Sequence, residues 1–90
     1  MRFYNQQHRF YCGVDLHART LSLCVLDDQG AKRLERTIDA APDAFLQAVA
    51  PYRDGLAVAC ECMFAWYWLA DCCHDHHIPF VLGHGQFVGR

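Results

Sequence analysis

No stretch of this chain is apolar for long enough to cross a membrane. The longest uncharged apolar run is CMFAWYWLA, residues 62 to 70, far below the ~20 residues of a spanning helix. The opening MRFYNQQHRF has no apolar centre of the kind a secretory signal requires. Positive charge is not in excess: eight Lys and Arg stand against ten Asp and Glu, a net charge of −2. That excludes the basic footprint of a free-standing nucleic-acid binder. None of the six cysteines stands at CxxC spacing, the usual mark of a structural zinc site. There is no internal repeat and no low-complexity tract. These absences lead us to expect a protein with no membrane association.

What is present is apolar. Hydrophobic residues make up 53% of the ninety, which favours a folded piece over disorder. One small domain fits, burying about 60 to 65% of its unfolded surface. The cysteines fall at positions 12, 24, 60, 62, 72 and 73. Cys12, Cys24 and Cys60 lie inside strand-like runs, where a free thiol acts as a small hydrophobe. We read them as reduced, in a reducing compartment.

The first nine residues are polar and read as a loose leader. Phe10 to Asp15 reads as a buried strand. LSLCVL, 21 to 26, alternates, with Leu21, Leu23 and Val25 on one face and Ser22, Cys24 and Leu26 on the other. DDQG, 27 to 30, is a turn, Asp27 and Asp28 serving as turn formers. KRLERTI, 32 to 38, reads as a half-exposed edge strand carrying Leu34 and Ile38. The short connections make these three strands an antiparallel meander.

The period then changes. Pro42 suits the first turn of a helix and Asp43 its positive dipole end. Phe45, Val49 and Tyr52 follow at helical spacing, with Leu46 beside them, and Pro51 and Asp54-Gly55 stop the run. LAVACE, 56 to 61, is a strand. Residues 63 to 77 form a second helix with Met63, Trp66, Tyr67, Ala70 and Cys73 as the inner stripe. Ile78 to Gly83 is a last strand. Helical connections run the later strands parallel, with right-handed crossovers. The expected architecture is a mixed α/β sheet with two helices.

Two acidic residues close strands. Asp15 ends the first and Glu61 the fourth. If those strands are parallel neighbours, both carboxylates emerge at one sheet edge, where open α/β sheets place ligands. Carboxylates held close repel unless a proton or cation lies between them. Mg²⁺ is a natural occupant, since it takes one or two carboxylates together with phosphate oxygens. Ions so held promote phosphodiester chemistry. The plain alternative is an Asp in a hairpin turn and a Glu at a helix start.

YCGVDLHARTLSLCVLDDQG, followed by VACECMFAWYWLAD and IPFVLGH, resembles the N-terminal domain of DEDD-type insertion-sequence transposases. The resemblance spans about Phe10 to His84, and GVDLH and the Glu closing VACE are its specific parts. It implies a ribonuclease-H-like fold of the RuvC type over residues 10 to 84, with 85 to 90 a divergent tail. Asp15 then matches the first acidic residue of the catalytic set and Glu61 the second, both as Mg²⁺ ligands. The implied activity is cleavage and strand transfer of element-end DNA, guided in some members by an RNA, in the bacterial cytoplasm. The family's two further aspartates and its serine-bearing domain have no counterpart here. The resemblance therefore reads as a C-terminally truncated copy, expected to be inactive alone.

Three rival readings stand beside it. A sugar-kinase or actin-like ATP domain also opens with a G-x-D hairpin, which Gly13, Asp15 and Gly30 fit loosely. That phosphate loop needs glycine after the aspartate, and Leu16, His17 and Ala18 stand there. CCHDHH, 72 to 77, pairs Cys72 with His76 and Cys73 with His77 at i, i+4, a spacing that two ligands of one zinc ion use. Its plain reading is a helix C-terminus, where His is favourable. Finally, Trp66, Trp68 and Phe87 offer apolar surface for self-association or for docking on a full-length transposase, with core packing as the plain reading of the tryptophans. His17 and Arg19 follow the first acidic residue and would suit phosphate contacts, or simply a solvated turn.

Overall fold

Alternation dictates the first three strands. The computed structural model describes residues 8–60 and 67–82. In β1 (Phe10–Leu16), Cys12, Val14 and Leu16 are buried while Tyr11, Gly13 and Asp15 face away from the core. In β2 (Thr20–Asp27), Leu21, Leu23 and Val25 are buried in the same rhythm. β3 (Lys32–Asp39) half-buries only Leu34 and Ile38. The three form an antiparallel meander, with Gly13 opposite Cys24 and Cys24 opposite Glu35. Lys32, Arg33, Glu35 and Arg36 along β3 charge the sheet's edge, which discourages pairing with another chain.

The turn from β2 to β3 is built by Asp27, as its position anticipates. Its Oδ1 accepts hydrogen bonds from the backbone N–H of Gln29 and of Ala31, both at 2.9 Å. Gly30 follows at φ 83°, in the left-handed region.

Helix α1 (Pro42–Val49) has Pro in its first turn beside Asp43, and it buries Phe45, Ala48 and Val49. A 3-10 turn, Ala50–Tyr52, continues it. Tyr52 is half-buried, donates its hydroxyl to the Arg33 carbonyl at 3.2 Å and meets Phe10 edge-on. Gly55, at φ 83°, then starts β4 (Leu56–Cys60). Its carbonyl accepts from the N–H of Arg9 at 3.0 Å and of Phe10 at 3.1 Å, which locks the start of β1 beside the start of β4.

Helix α2 (Tyr67–Asp75) buries Leu69, Ala70, Cys72 and Cys73. The expected stripe is right at Ala70 and Cys73 and wrong at Tyr67, whose side of the helix is turned to solvent, with the residue 65% exposed. Met63 and Trp66 lie outside the described residues. The helix also ends earlier than the expected 77. His77 adopts φ 59°, the Ile78 N–H bonds the Cys73 carbonyl at 2.8 Å, and the His77 N–H bonds the His74 carbonyl at 3.1 Å. That bond pair is a Schellman cap, with His77 in the position usually held by glycine. Arg53 adds a hydrogen bond from its guanidinium to the His76 carbonyl at 3.1 Å. Strand β5 covers Phe80–Leu82, shorter than the expected run from Ile78. Ile78 is buried but belongs to the connection.

The sheet order is β3-β2-β1-β4-β5. β1 pairs antiparallel with β2 and parallel with β4, and β4 pairs parallel with β5. The molecule is thus a mixed α/β structure with a five-stranded sheet. One apolar cluster joins the inward faces of β1, β2 and β4 to Phe45 and Val49 of α1 and to Leu69 and Cys73 of α2. Both helices therefore lie on the same side of the sheet. No helix among the described residues is long and apolar enough to cross a membrane.

Candidate functional site

β1 is where the antiparallel and parallel parts of the sheet meet, so its carboxyl end is the place to look for a ligand site. Val14 and Leu16 take core positions, so strand alternation turns Asp15 outward. Its side chain is 61% exposed, and its Oδ2 lies 3.4 Å from His17 Nε2, an ion pair when the imidazole is protonated. A pair this exposed contributes little to stability. The His17 N–H bonds the Thr20 carbonyl at 2.9 Å and closes the turn into β2.

Beside Asp15 the register sets Ser22 and then Thr37 in one row across three strands. The two hydroxyls meet at 3.1 Å. The next row is Gly13, Cys24 and Glu35. Because Gly13 has no side chain, the two rows enclose a shallow depression of about 650 Å³ bordered by Asp15 and Glu35. Glu35 is held by Lys32 at 2.9 Å.

On the other side of β1, the expected parallel neighbour is in place. β4 runs beside β1 from Phe10 opposite Leu56 to Val14 opposite Cys60. Asp15 and Glu61 are the next residue of each chain segment. Glu61 itself lies outside the described residues, so the strand register alone relates it to Asp15.

The rival readings fare differently. For a kinase-like phosphate loop, β1 would have to end in a glycine turn after Asp15; instead it continues through Leu16, 1% exposed. The pairing of Cys73 with His77 for zinc is not made, because Cys73 is fully buried in the core and His77 stands beyond the helix end. Among the described residues no group of three or more His, Cys, Asp or Glu gathers. Trp68 packs, partly buried, against the core, while Trp66 and Phe87 fall outside the described residues.

Sequence reasoning missed one gathering. Cys12 of β1, Cys60 of β4 and Cys73 of α2 are each no more than 1% exposed and share the core. Burial is the main reason the Cys12 thiol is pushed up to about 12. Burial also raises Cys73, with Cys72, Cys12 and Cys60 adding to it. The signal was present in the strands, since Cys12 and Cys60 both occupy inward positions. The helix phase that adds Cys73 to them needed the fold. These thiols are buried packing groups of the core.

No family model matches this chain, and no curated protein matches it.

Proposed function

We propose that this chain is a ribonuclease-H-like domain of the DEDD transposase kind, which binds Mg²⁺ between Asp15 and Glu61. One observation carries the reading: β1 and β4 are parallel neighbours, and their register reaches Val14 beside Cys60, one residue before each of the two acids. The last paired residues before the two acids, Val14 and Cys60, lie at the carboxyl end of adjacent strands, on the side where α/β sheets take ligands, and that supports a shared site. The donor set fits the ion. Carboxylate oxygens are hard ligands, and Asp15, already exposed, keeps water within reach of a partly hydrated Mg²⁺.

Asp15 and Glu61 would hold the ion, and the ion when bound would neutralise phosphate charge and activate water. The protein's own part is positional. The Gly55 carbonyl fixes the start of both strands, and Val14 and Leu16, anchored in the core, keep Asp15 facing out. The partner in this reading is element-end DNA, with an RNA guide in the wider family, and copies of the domain associate with one another. With two acidic ligands in the site, the role proposed for this chain is cation binding and docking within an assembly, not turnover alone.

The test combines metal binding with DNA nicking. Calorimetry with Mg²⁺ should show binding that Asp15→Asn and Glu61→Gln each abolish, while a supercoiled plasmid stays intact in Mg²⁺ or Mn²⁺. Binding unchanged in both variants would overturn the metal site. Nicking abolished by Asp15→Ala would overturn the claim that the chain does not turn over alone.

A further inference from the structure

We draw no further inference here: the strongest candidate, the shallow apolar trough over Gly13, Cys24 and Ala59 on the sheet face opposite α1 and α2, is an unpartnered face for which nothing in the structure shows what covers it.

Discussion

Replacing Gly55 with alanine should be far more damaging than the same change at Gly30, although both glycines have φ 83°. A non-glycine residue in the left-handed region costs about 1–2 kcal/mol. At Gly30 that is the whole effect, because an added Cβ meets nothing within 4 Å. At Gly55 the Cβ would come 2.8 Å from Arg9 Cβ and 2.9 Å from Arg9 Cγ. Arg9 cannot simply swing aside, since its own N–H and that of Phe10 bond the Gly55 carbonyl. Moving the start of β1 weakens both bonds, each with a net value of about 1 kcal/mol. Gly55→Ala should therefore lose roughly 2–4 kcal/mol in all. In a domain of this size each 1 kcal/mol shifts Tm by about 4–8 °C. Thermal and urea unfolding followed by circular dichroism should show Gly55→Ala melting well below Gly30→Ala. In an Arg9→Gly background, which removes the colliding Cβ, the Gly55→Ala loss should shrink to that of Gly30→Ala. Equal losses at the two glycines, or no relief from Arg9→Gly, would refute the claim that this contact sets where β1 lies against β4.

Two further outcomes follow from local structure. His77→Gly should raise stability by about 1 kcal/mol in the same unfolding assay, because glycine adopts the left-handed cap position without strain; a loss of stability would contradict the Schellman geometry at the end of α2. Among the described cysteines, iodoacetamide under native conditions should modify the half-buried Cys24 first, leaving Cys12, Cys60 and Cys73 unlabelled until urea unfolds the chain; mass spectrometry showing early modification of Cys73 would contradict the buried thiol cluster.

The strands were legible because one face of the sheet is buried and period-2 alternation survives in β1 and β2. Cys12, Val14 and Leu16 against Tyr11, Gly13 and Asp15 can be read directly from residue order. The turn at Asp27 was legible for a chemical reason, since a short carboxylate two and four residues before free N–H groups closes a turn. The phase of α2 was not legible. MFAWYWLA is apolar all round, so several stripes look equally inward, and only packing on the sheet selects Leu69 and Cys72 over Tyr67. The end of the same helix was misjudged because His77 in a left-handed cap departs from the preference for glycine there. At the candidate site, residue types named Asp15 and Glu61, but the proposal that they share a site rests on a fact that no local pattern carries. That fact is the parallel pairing of β1 with β4, between strands forty-six positions apart in register, from Phe10 to Leu56.

The most direct measurement is paramagnetic broadening of amide resonances by substoichiometric Mn²⁺, with Mg²⁺ added as competitor. The proposed site predicts selective loss of signals around Asp15 and Glu61, reversed by Mg²⁺ and absent in Asp15→Asn. Broadening spread over unrelated exposed carboxylates such as Asp54 and Asp71, and unchanged in that variant, would contradict a cation held between the ends of β1 and β4.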